Sequence, residues 1–279
     1  MYFFYIDKYD IILPSNDERD VKMLDDFKIP NETKKQIYND LLQPTVSETG
    51  KILGRIPRLI NAAFLPLDCW IAERQNHLEK TKQLLAENLK DADPEKIVPP
   101  EPYVAVPAIQ AISYSMDSDE LRKMYANLLS KAIYSDTKNS VHPAYTEVVK
   151  NLSPLDCRVL EEVMTSQYGE IGCYELRVAT VGSSSYHVSY PYVTHITFAD
   201  PSTVAASIDN LTRNKLIEPK DFSFDDDEKY LPIRQTFFYT TISKTFSSHP
   251  NNQELRPYKK SIKSTSFGNA FYNVCCTPL

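Results

Sequence analysis

Glycine is scarce in this chain, six in 279 residues, about a third of the ~7% that proteins average. That scarcity counts against folds built on glycine-rich phosphate loops. No segment reads as a P-loop, as G-x-G-x-x-G, as G-x-S-x-G or as H-E-x-x-H, so no nucleotide-binding, serine-hydrolase or zinc-peptidase motif is present. Cysteine is equally sparse. Cys69, Cys157, Cys173, Cys275 and Cys276 form no C-x-x-C pair, and an odd, unpatterned set fits no disulfide framework. They read as small buried residues of a protein from a reducing cytoplasm.

Long apolar runs are missing too. A membrane span needs ~20 mostly apolar residues. The most apolar long stretch, Ile52 to Ala72, is broken by Arg55, Pro57, Arg58, Pro66 and Asp68 and reads first as core. The start, Met1 to Ile6, is apolar but has no basic flank or small-residue cleavage site, so no secretory signal is expected. Positive charge is also in deficit: 31 basic against 37 acidic residues leave a net charge of -6. Nucleic-acid affinity comes largely from neutralised phosphates, which lowers the expectation of DNA or RNA binding without closing it.

Metal and cofactor signals are weak. His187 and His195 fall on an extended segment, eight apart, but Pro191 between them is expected to break the strand. Asp225 to Glu228 lacks the spaced ligands and central glycine of a calcium loop and reads as a solvated hairpin tip. No cofactor, no metal site and no catalytic residue is therefore expected.

What is present is a helix-rich chain with a change of texture. At ~100–200 residues per domain, two domains are expected. We read an extension over 1–44, a helical domain over 45–150 and an α+β domain over 151–279. A helix is expected from Leu67 to Leu89, then a proline-rich connection, then a helix starting at Pro107. Asp117 is read as the cap of the next helix, with Glu120 completing a capping box. That helix carries the clearest apolar stripe: Leu121, Met124, Tyr125, Leu128, Leu129, Ala132 and Ile133. Pro143 and Ser153-Pro154 open two more. Beyond Tyr168 the residues favour strands over 171–179 and 186–198. Asp200-Pro201 starts a helix to about Lys215, and Leu216-Ile217 and Pro232 to Ile242 read as two strands around the acidic turn. A last short helix covers Ser266 to Val274.

This order gives a mainly helical α+β protein with an N-terminal helical domain and a winged-helix-like C-terminal domain. By fold analogy, Ser202 to Lys215 would be the recognition helix. Asn210, Arg213 and Lys215 are then the candidate nucleic-acid-binding residues. Lys259, Lys260 and Lys263 form a second basic cluster.

Residues 94–164 carry a pattern of their own: Pro94 to Tyr103, Pro107 to Ile112, Asp119 to Leu129, Val141-His-Pro143 and Leu152 to Asp156, in that order, followed at the C-terminus by Thr265 to Cys275. This resembles the Abi-alpha (abortive-infection alpha) family of bacterial proteins. The resemblance implies a cytoplasmic, phage-defence protein and transfers no catalytic residue. Three functions remain open: a non-enzymatic protein that binds a phage or host protein, a winged-helix DNA-binding regulator, and a membrane-acting effector.

Overall fold

The computed structural model describes residues 75–279, apart from residues 115–117, 222, 223, 225 and 249. The extension over 1–44, the apolar stretch Ile52 to Ala72 and Cys69 lie outside the described residues. Within them, helices dominate and one four-stranded sheet is present, a mixed, mainly helical architecture.

Helix α1 (Gln75–Asn88) buries Leu85, and Leu89 follows it into the core. Helix α2 runs Pro102–Tyr114, so it starts on Pro102 and holds Pro107 inside, not at its head. Pro107 has no N–H for the Tyr103 carbonyl one turn back. That position is tolerated where Tyr103 is exposed. Helix α3 (Asp119–Ala132) buries the expected stripe. Its cap is Ser118, one residue later than the sequence reading. Ser118 is extended, its hydroxyl accepts from the Leu121 amide at 3.2 Å, and it donates to Glu120 at 3.0 Å.

Helices α4 (Ala144–Lys150) and α5 (Pro154–Thr165) follow as expected. Ser153 and Asp156 form a reciprocal capping box at the head of α5.

Strands β1 (Glu170–Thr180) and β2 (Tyr186–Val193) come next, then helix α6 (Pro201–Arg213) and strand β3 (Ile217–Lys220). Residues 231–246 are helical, α7 (Leu231–Arg234) and α8 (Phe237–Phe246), where a strand was expected over Pro232 to Ile242. The reason is local. Pro232 sits in a first turn, the Thr236 hydroxyl accepts from the Tyr239 amide at 3.2 Å, and Phe238, Tyr239 and Ile242 share a helical face that packs on the sheet. The strand that pairs with β3 is β4 (Gln253–Ser264), which propensity had not marked.

The sheet order is β2-β1-β4-β3, and each neighbouring pair is antiparallel. Side chains alternate across β1. Ile171 and Cys173 join the large core that runs from Leu85 through Val159 to Ile262 and Phe271. Tyr174 and Leu176 face the other way, into a smaller core with Tyr230 and Ile233. Helix α7 and the partly buried side chains of α8 thus cover one sheet face, and the helical body covers part of the other.

Helix α9 (Ser266–Phe271) runs into a π-helical turn, Tyr272–Cys276. The Lys131 ammonium closes this C-terminal segment by donating to the carbonyls of Asn273 and Thr277.

Candidate functional site

Asn210, Arg213 and Lys215 do not form one outward-facing set. Asp156, 4% exposed, anchors the α5–α6 joint. Its carboxylate accepts from the Ser153 amide at 2.7 Å, the Ser153 hydroxyl at 2.8 Å, the Ser207 hydroxyl at 2.6 Å and the Asn210 amide at 2.9 Å. Asn210 also donates to the Asn151 carbonyl at 2.9 Å, and its own oxygen accepts from Arg213 at 2.7 Å. Asn210 therefore holds two helices together. Arg213 and Lys215 are exposed at the end of α6, and Lys215 takes a left-handed backbone, φ 60°. The same helix exposes Asp209 between them and its start.

The second basic cluster is separated in space. Lys259 pairs with Asp227, Lys260 with Asp221 at 3.1 Å and Glu175 at 3.4 Å, and Lys263 with Glu170 at 3.7 Å. The acidic segment is not a hairpin tip. Asp226 caps a 3-10 turn leading into α7, and hydrogen bonds from Lys259 and Arg234 hold Asp227 below the usual carboxylate range. Strand β2 continues through Pro191, as an edge strand allows. His195 lies past its end, 3.5 Å from Glu162. Among the described residues no three His, Cys, Asp or Glu side chains are placed to hold a metal ion.

A recess of about 290 Å³ between α3, α5 and the π turn is lined by Met124, Cys157, Cys275 and Cys276. Burial pushes the Cys157 thiol up to about 12 and Cys276 higher still. These are protonated thiols with little nucleophilic character at neutral pH.

The sheet offers a different kind of surface. β2 is its outer strand, and among the described residues nothing pairs with its free edge. Beside it, on the face left open by the helical body, register places Tyr186 with Ala179 and Val188 with Arg177. The Arg177 guanidinium lies between the rings of Tyr258 and Tyr186, 3.8 Å and 4.4 Å from their centroids, and donates to Glu175 at 2.6 Å. Tyr186 is 48% exposed, Val188 44%. Two register shifts and Pro191 guard the far half of the strand, whereas Tyr186 to Val188 pair regularly with β1. Sequence reasoning missed this surface, although a signal was available. Between Arg177 and Asp200 no Asp, Glu, Lys or Arg occurs. With 24% charged residues overall, a stretch of that length would carry about five. Natural edge strands commonly use charge to prevent pairing, and this one does not.

Among the described residues no helix is long and apolar enough to cross a membrane. Neither a curated protein nor a solved structure matches the chain. The family model for abortive infection alpha matches residues 73–275, a span that runs from α1 into the π turn. That is well over half of the sequence, and it includes the central block and the Thr265 to Cys275 segment on which the resemblance was read. The chain belongs to the abortive infection alpha family.

Proposed function

We propose that the protein is a non-enzymatic abortive-infection factor of the cytoplasm that acts by binding a phage or host protein through the β2 edge and the sheet face beside it. Family membership supports the defence role. One observation carries the binding surface: an uncharged outer strand whose free edge has no partner among the described residues and whose regular half exposes Tyr186 and Val188 next to the stacked Arg177. Main-chain groups on such an edge supply affinity, and alternate side chains supply selectivity.

The test is co-purification of the tagged full chain from phage-infected cells, wild type against Val188→Lys. A charge at this exposed position leaves the core untouched and obstructs pairing at the edge. Capture of a defined protein and protection from phage should be lost together. A Val188→Lys protein that keeps both would refute the reading, and hydrolysis of a nucleotide or nucleic acid abolished by a point mutation would refute its non-enzymatic part.

A second reading has one observation in its favour. Helix α6 leads directly into β3, and β3 pairs with β4, which pairs with β1, the arrangement a winged-helix-like domain would need around a recognition helix. Arg213 and Lys215 would then contact phosphate. Asp209 on the same exposed face and the inward commitment of Asn210 weigh against it. Duplex binding that weakens steeply with added salt would support this reading, and no binding at low salt would remove it. The membrane-effector reading rests on Ile52 to Ala72, and flotation with anionic liposomes tests it.

A further inference from the structure

A cleft of about 180 Å³ lies where β2 ends, between the β2–α6 connection and the head of α8. Its walls include Val193, Ile196, Ala199, Val204 and Phe238, and no residue lining it carries a formal charge. At its lip stands Phe237, the first residue of α8, 85% exposed. A phenylalanine of this exposure gains nothing for the fold it sits on. An apolar cavity of ~150 Å³ is large enough to bind benzene, so the cleft has room for one phenyl ring.

We propose that the cleft receives Phe237 of a second copy of this chain, and that the two copies pair about a two-fold axis passing close to this residue. The patch is self-complementary. In a two-fold interface each patch meets itself, so a projection must lie next to the hole that its symmetry mate fills. Phe237 and the cleft are neighbours on one molecule, which meets that condition. Charge completes the argument. A patch that meets its own copy places like charges opposite one another, and an uncharged lining avoids that repulsion. A foreign partner would be equally well served by a charged rim of either sign.

The two rings supply only the centre of an interface, since stable assemblies bury ~1,200–2,000 Å² in total. Buried aromatic anchors of this kind commonly carry much of the binding energy. The pairing is therefore reversible and concentration-dependent.

Sedimentation of the full chain across a dilution series tests this without involving any phage or host partner, so its failure is distinguishable from failure of the binding reading above. Wild type should move from dimer to monomer on dilution. Phe237→Ala and Phe237→Asp should remain monomeric throughout, with thermal unfolding matching that of wild type diluted to monomer, because the side chain is exposed in the single chain and only the dimer gains stability from pairing. Mixing a Phe237→Cys chain with a Thr197→Cys chain under mild oxidation should give a one-to-one crosslinked product, since Thr197 is exposed and also lines the cleft. A wild type that is monomeric at its highest soluble concentration would overturn the proposal, as would a dimer that survives Phe237→Asp. A monomeric wild type whose Phe237→Ala variant loses a captured protein would assign the cleft to a foreign partner and equally overturn it.

Discussion

Gly268 is the point where the smallest chemical change should have a large structural effect. It lies in α9, and α9 packs against the backbone of Leu216 at the entry to β3. A methyl group at Gly268 would lie 2.7 Å from the Leu216 carbonyl carbon and closer still to its oxygen. Ordinary contact begins near 3.4 Å. Backbone cannot swing aside as a side-chain tip can, so α9 must retreat from β3. Three interactions register that retreat. The Thr265 amide donates to the Leu216 carbonyl at 3.1 Å, and the Thr265 hydroxyl caps the Gly268 amide at 2.8 Å. Phe271, fully buried, meets Tyr145 edge-on at 5.5 Å between ring centroids.

Overpacking of this kind costs ~1–3 kcal/mol, and a weakened buried hydrogen bond adds ~1 kcal/mol. Alanine returns up to ~1 kcal/mol through its better helix propensity. The expected net loss for Gly268→Ala is about 2 kcal/mol, or ~4–8 °C in Tm for a domain of this size. Differential scanning calorimetry of the full chain reads it directly. The control is Ala270→Gly, on an exposed position of the same helix, which should cost only ~0.5–1 kcal/mol. A Gly268→Ala protein unfolding at or above the wild-type temperature would show that α9 is not seated on Leu216.

Three further outcomes are expected. Asp156→Ala strands Ser207 and Asn210 together with the head of α5 and should cost ~2–4 kcal/mol, while Asp156→Asn should recover part of that; chemical denaturation measures both. Burial raises the Tyr145, Tyr174 and Tyr230 hydroxyls above 10.0, so the unfolded chain ionises first; their contribution is intact below pH 10 and is lost as pH rises through the folded values, giving an alkaline unfolding limb visible by near-UV circular dichroism. Cys157, held near 12, should resist alkylation at pH 8 in the native protein and react on unfolding in urea, as peptide mass spectrometry will show; rapid native labelling would refute its burial.

Much of the helical body was legible because its signals are local and redundant. The α3 stripe, the Ser153-Pro154-x-Asp156 start and the Asp200-Pro201 start each combine periodicity with start chemistry, and the structure begins all three helices there, with the α3 cap moved from Asp117 to Ser118 and with Asp200 at the cap position of α6 but accepting from the Ser202 hydroxyl instead of a backbone amide. The misreading at 231–246 has the opposite cause. Phe, Tyr, Thr and Ile favour strands by propensity, but the Thr236 cap and the spacing of Phe238 and Ile242 favour a helix, and docking onto Tyr174 and Tyr230 decided between them. Strand β4 was obscured by its own side chains. Lys259 and Lys260, adjacent in sequence, point to opposite faces and meet different acids, which in one dimension looks like a solvated basic cluster. Asn210 shows the same limit for function. Its type fits a base contact, and only the fold reveals that Asp156 already holds it.

Away from β2, charges on the sheet are matched: Lys260 with Glu175 and Lys263 with Glu170 across strands, and Lys259 with Asp227 of the turn before α7. Such pairs are worth little individually at the surface, but they make a solvated exterior that discourages non-specific association. The run from Val178 to Ala199 departs from that pattern. It supplies both the open half of the β2 edge and much of the wall of the Phe237 cleft. Burial accounts for the neutrality of Val178, Ala179, Val193 and Ile196, but not for that of Val181, Tyr186 and Val188, which are exposed and where a charged residue would be accommodated. Neutrality at exposed positions has a cost in solubility, and a surface that is covered in its working state avoids that cost. The placement of Tyr186 and Val188 along the strand and of Phe237 beyond its end then describes two neighbouring surfaces, one open to a foreign segment and one complementary to itself. Lysine substitutions at Val181 and Val188 separate them: both should raise solubility of the isolated protein, and Val188→Lys should also abolish partner capture. If neither substitution changes solubility, the uncharged run is ordinary surface and the case for a covered edge fails.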